Sequence, residues 1–191
     1  MSKGRMEAFS DGVLAIIITI MVLALAVPRG SSPGSLVPLI PVFLSYILSF
    51  INLGIYWNNH HHMLQAVARV NGRVLWANLH LLFWLSLFPF GTAWMGENNF
   101  AVWPVAAYGI ILLFAAIAYF MLAKTLVALH GRDSVIAVAL GSDFKGKISI
   151  VLYLAAVASC ALSRWIACAL YVAVAVMWLV PDRRIEKTLA G

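Results

Sequence analysis

Apolar runs of membrane-spanning length follow one another along almost the whole chain, and that repetition leaves few folds open. A hydrocarbon core of about 30 Å needs roughly 17 to 25 apolar residues in helix. Such runs fill 6–27, 36–62, 74–95, 101–126 and 148–180 of the 191 residues. No stretch is left for a soluble domain, and the composition agrees: 63% hydrophobic and 10% charged residues, with a mean hydropathy of +0.95. The reading is an all-α integral membrane protein, one domain over 1–191.

The number of crossings comes from the breakers and from one charge. Pro28, Gly30 and the Ser31-Ser32-Pro33-Gly34 loop stop helix 1, and Pro38 and Pro41 open helix 2, where a missing amide costs least. The polar segment 124–147 forms the one substantial loop. The run 148–180 would measure about 50 Å as a single helix, too long for a bilayer. Arg164 lies at its middle, and a charge at the bilayer centre costs at least about 2.5 kcal/mol. The run is therefore predicted to fold back at Arg164 as two short helices, giving six spans.

With six spans both termini share a side. That side collects Lys3, Arg5, Arg69, Arg73, Lys124, Arg132, Lys145, Lys147, Arg183, Arg184 and Lys187, against Arg29 and Arg164 opposite. The excess marks it as cytoplasmic. Trp94, Trp103 and Trp165 fall near the outer boundary and Trp57, Trp76 and Trp178 near the inner one, with Trp84 the exception. A net charge of +6 suggests nucleic acid in a soluble protein, but here the cations sit in short loops, so no nucleic-acid partner is expected. Membrane lipids are the expected surroundings, with Lys145 and Lys147 as surface anchors. The segment after Val27 lacks a small-x-small cleavage pattern, so the first run reads as a helix of the mature chain rather than a signal peptide.

Helix 1 carries the most information. At 100° per residue Gly12, Ile16, Thr19, Ile20, Leu23 and Val27 form one stripe, and Asp11 projects more than a quarter turn from it. A carboxylate near the membrane boundary needs donors, which Trp57, Asn58, His60 or His61 of helix 2 supply. The alternative is that Asp11, helped by Ser10, caps the helix start in headgroup water. The stripe likewise has two readings: a pore lining, or a packing seam with Thr19 bonded to its own backbone.

Other motifs point to less. His60, His61 and His62 project about 100° apart and cannot all hold one ion, so no metal site is expected. The sequence from Gly141 to Lys147 nearly spells a phosphate-binding loop, but Ile148 replaces the required hydroxyl. Cys160 and Cys168 read as free packed thiols.

Arg5-x-x-x-Phe9-Ser10-Asp11 followed by GVLAIIITI resembles the signature of transmembrane protein 175, the lysosomal potassium channel family. Tyr56-Trp57-Asn58-Asn59-His60-His61, Leu75-Trp76-Ala77-Asn78-Leu79 and Phe88-Pro89-Phe90 resemble its next blocks in the same order. The match covers about residues 5–95, and the last two helices agree only in pattern. One six-helix repeat resembles the bacterial form rather than the two-repeat lysosomal one.

The resemblance implies a homo-oligomer, a tetramer, whose helix 1 lines a central pore in the plasma membrane and passes potassium ions passively, with no catalysed chemistry and no cofactor. It places the constriction at Ile16, then Thr19 and Leu23, with Gly12, Ile20 and Val27 lining the pore. Arg5, Phe9, Ser10, Asp11, Trp57, His60, His61 and Asn78 form its structural motif. No TVGYG carbonyl filter is present, so modest selectivity is expected. The alternatives are a secondary transporter, proton-coupled in one version, and a haem oxidoreductase using the histidines. Against the first, no acidic residue lies deep in any span.

Overall fold

A computed structural model describes residues 2–141 and 143–179. Among them are eight α-helices and one 3-10 turn: α1 (Lys3–Leu23), the 3-10 turn (Pro33–Leu39), α2 (Ile40–Gln65), α3 (Gly72–Ser86), α4 (Phe88–Glu97), α5 (Val102–His130), α6 (Val135–Leu140), α7 (Phe144–Ser159) and α8 (Arg164–Leu179). Four helical stretches are long and apolar enough to cross a membrane: Lys3–Leu23, Pro33–Gln65, Gly72–Glu97 and Val102–His130. Arg183, Arg184 and Lys187, counted above towards the inner surface, lie outside the described residues.

Local chemistry sets the boundaries. Ser2 caps α1 by accepting the Arg5 amide at 3.4 Å, so the helix begins well before Asp11 and ends at Leu23. Val27 thus falls beyond the helix, and the stripe expected at helical spacing stops four residues earlier. The third span, expected as one helix, is interrupted at Leu87, because Pro89 has no N–H to return to the Leu85 carbonyl. Pro89 sits in the first turn of α4, which is where a helix tolerates it.

α5 is apolar on every side, as a helix surrounded by protein must be. It is the hub, packed on α3, α4, α7 and α8, while α1 leans on α2, α3 and α4. α5 continues to His130, past the expected polar segment, since Lys124 lays its stem along the helix with Nζ 5.3 Å from the Phe120 ring centre. Gly131, at φ 93°, ends it in a conformation side chains resist. Gly109 is equally constrained by space, because the Tyr171 hydroxyl occupies the place a Cβ would take.

The final apolar run does reverse near Arg164. α7 ends at Ser159, α8 starts at Arg164, and the guanidinium lies 5.2 Å from the Trp165 ring. Each helix has 16 residues, about 24 Å of rise. Trp165 also meets Phe100 of the α4–α5 turn at 6.0 Å between ring centres, which puts this reversal at the Asn98–Ala101 end of the bundle, away from the N-terminus.

Candidate functional site

α1 divides into two faces with different chemistry. Met6, Ser10, Leu14, Ile17 and Met21 recur at steps of three and four and are buried against the rest of the subunit. Gly12, Ile16, Thr19, Ile20 and Leu23 are exposed, Ile16 at 60% and Leu23 at 77%. Val27 is exposed too, but in the segment after the helix. The predicted stripe is therefore the side of α1 that its own subunit leaves uncovered. Thr19 donates to the Ala15 carbonyl at 2.8 Å, the local bond anticipated for it, and its oxygen keeps free lone pairs.

The buried face is fixed by a chain of polar groups crossing three helices. Ser10 donates to the Met6 carbonyl at 2.8 Å and accepts from Asn78 Nδ2 at 2.9 Å. Asn78 Oδ1 accepts from His60 Nε2 at 2.7 Å, which places the ring proton on Nε2. All three side chains are buried, so each bond is one that water cannot replace.

A second set of contacts lies beside it. Trp57 donates its indole N–H to Asp11 Oδ1 at 3.1 Å. Asp11 is thus held by one of the four donors the sequence offered, and the capping alternative fails because the helix already starts at Lys3. His61 Nδ1 lies 3.3 Å from Glu7 Oε1, its Nε2 takes the Gln65 amide at 2.8 Å, and its ring stacks on Trp57. Lys3 closes the end by donating to the Val67 carbonyl at 3.1 Å. Glu7–His61 and Asp11–Trp57 form an antiparallel ladder: four residues up α1 match four residues back along α2.

The structure splits the motif residues. Ser10, Asp11, Trp57, His60, His61 and Asn78 converge, whereas Arg5 and Phe9 are exposed on the same side of α1 as Gly12 and Ile16. Asn58 is exposed and takes no part, and His62 keeps a buried Nδ1 without a partner. Glu7, Gln65 and Lys3 were not singled out from the sequence. The signal for Glu7 was available, since acidic residues at 7 and 11 and donors at 57 and 61 repeat with one helical period. Among the described residues no group of three or more metal-binding side chains gathers.

A family model described as the endosomal/lysosomal potassium channel TMEM175 matches residues 5–89, the part of the chain that holds the ladder and the Ser10–Asn78–His60 chain. A protein named Potassium channel from Chryseobacterium sp. (strain P1-3) is 57% identical over 189 residues, covering 99% of this chain and 98% of its own. The rat protein named Endosomal/lysosomal proton channel TMEM175 is 31% identical over 152 residues, 70% of this chain but 30% of that larger protein. The crystal structure of a lysosomal potassium-selective channel TMEM175 homolog from Chamaesiphon minutus superposes with a TM-score of 0.80 at 31% identity, covering 93% of this chain and 96% of that one. These relatives are channels, not enzymes, and neither the carrier nor the haem reading finds support among them. Matched along nearly its whole length in both sequence and fold, the chain belongs to the TMEM175 family of ion channels.

Proposed function

We propose that this chain is one subunit of a passive, potassium-permeable channel of the cell membrane, in which α1 from each of four copies faces a common axis. The observation that carries the reading is the asymmetry of α1. Its inward face is locked by buried polar bonds, and its outward face offers a row of Gly12, Ile16, Thr19, Ile20 and Leu23 that stands exposed among the described residues. A pore built from one helix per subunit needs such a row. Ile16 is the constriction, where a ring of branched apolar side chains closes the path by expelling water. Thr19 one turn outward presents oxygens to a partly dehydrated cation, Leu23 narrows the outer end, and Val27 flanks the mouth just beyond the helix. α7 and α8, shorter than the other spans, complete six crossings with both termini in the cytoplasm.

Reconstitution into liposomes with a potassium gradient tests this directly. Rapid, non-saturating flux that exceeds sodium flux is expected, and slow saturable flux would indicate a carrier instead. Proton permeation is the second reading, favoured by the name of the rat relative. A pH-sensitive dye inside the same liposomes, with no potassium gradient, separates it from potassium flow.

A further inference from the structure

Roughly half a turn round α2 from the ladder, a cavity of about 30 Å³ opens between α2, α5, α7 and α8. Asn52, Tyr56 and Asn59 of α2, Tyr119 of α5, and Ser149 and Tyr153 of α7 face it. The amide nitrogens of Asn52 and Asn59 are spent on their own helix, donating to Leu48 at 2.9 Å and Ile55 at 2.8 Å, which leaves both amide oxygens open. Ser149 is also occupied, donating to the Lys145 carbonyl and accepting from the Trp178 indole N–H. The hydroxyls of Tyr56, Tyr119 and Tyr153 have no hydrogen-bond partner among the described residues.

Tyr108 and Tyr171, fully buried away from the cavity, do find protein partners. Tyr108 bonds Ser49 at 2.9 Å and Tyr171 bonds the Val105 carbonyl at 3.0 Å. Three hydroxyls and two carbonyl oxygens without a protein partner among the described residues thus reach one cavity, and polar groups placed in this way are satisfied by water. A water needs roughly 10–15 Å³ of such space and two to four polar partners, and both conditions are satisfied here. No charged side chain lines the cavity, so nothing compensates an ion, and a hydrocarbon tail offers no hydrogen bonds.

We propose that this cavity is a water-binding site, in which ordered water joins the amide oxygens of α2 to the phenols of α5 and α7. α2 is then held directly to α1, α3, α4 and α5 by side-chain bonds, and through solvent to α7. The site is separate from the exposed face of α1 and does not depend on how ions pass.

Hydroxyl-radical footprinting by pulsed X-rays tests it on the whole chain in lipid nanodiscs, because bound water labels the side chain it touches. Tyr119 and Tyr153, 7% and 3% exposed, should label several-fold faster than Tyr108 and Tyr171, both 0% exposed. Equal rates for the four overturn the proposal. Ala116, 8% exposed on the cavity wall, supplies a second measurement. Ala116→Val should lower the melting temperature by displacing water and stranding the phenols, and it should slow labelling of Tyr119 and Tyr153. A higher melting temperature with unchanged labelling means a dry void that the added methyls fill, and the proposal falls.

Discussion

α1 and α7 start at the same end of the bundle and each carries a carboxylate near that end, yet the two helices spend their polar groups in opposite directions. α1 gives Ser10 and Asp11 to its neighbours and leaves an apolar row uncovered. α7 keeps Asp143 close to its own first turn, beside Gly146 and with Lys124 and Lys147 near, and it turns Ser149 and Tyr153 towards the interior. Position explains the contrast. A helix on the rim of its subunit needs an anchor on one side only, and a helix packed between α5 and α8 must satisfy whatever polar atoms it brings inside.

The sharpest way to break this contrast is Ile16→Asn. If the uncovered row of α1 serves conduction and not subunit stability, sodium flux in liposomes rises about tenfold, a barrier change of about 1.4 kcal/mol, while the melting temperature hardly moves. A folding defect with unaltered flux would make the row a packing seam. Asn78→Leu examines the opposite face. It strands His60 and Ser10 together, so the thermal transition should fall by the equivalent of about 2–3 kcal/mol. Retention of wild-type stability would mean the buried chain of bonds is not what fixes α1.

Asp11→Ala has a smaller expected effect, about 1 kcal/mol, because the residue is only half-buried. A double-mutant cycle with Trp57→Phe isolates the bond: the combined loss should fall short of the sum of the single losses. Strict additivity would show that Asp11 and Trp57 act separately.

Asp143→Asn should matter least, and in the opposite sense. Burial pushes the Asp143 carboxyl above its ordinary value, against the Gly146 amide and the two lysines. A carboxyl whose folded pKa is raised binds its proton more readily in the native state, so stability falls as pH rises above the ordinary value of 3.8 through the folded pKa. Acidification from neutrality therefore restores stability at this position, and the Asn variant should lose that rise and melt no lower than wild type at pH 7. A variant that melts clearly lower would mean the lysines outweigh burial.

Much of the architecture was legible because lipid leaves a chain few choices. Run lengths located the four long spans, and the expense of burying Arg164 located the reversal. The polar segment 124–147 is largely helical, not the loop that its charge predicts. Lys124 stays helical by lying on Phe120, and Lys145 and Lys147 already belong to α7. The break at Leu87 was within reach, since Pro89 stands in the sequence, but nothing local says whether proline opens a new helix or kinks an old one. At the site, Asp11 and Trp57 were found as a possible pair from charge and depth. Glu7 carries no such signal alone, and its partner His61 becomes visible only when α1 and α2 are laid antiparallel.

That ladder also limits how α1 can travel. Its rungs are one helical turn apart, so a slide of about 5.4 Å carries each side chain to the next partner. Towards the Leu23 end of α1, Asp11 would land on Leu53, which is fully buried and offers no donor, while Glu7 would meet Trp57. Towards the Lys3 end of α1, Asp11 would meet His61 and Glu7 would meet Gln65, both able to bond. The register is thus asymmetric: a one-turn slip loses a rung in one direction and keeps both in the other.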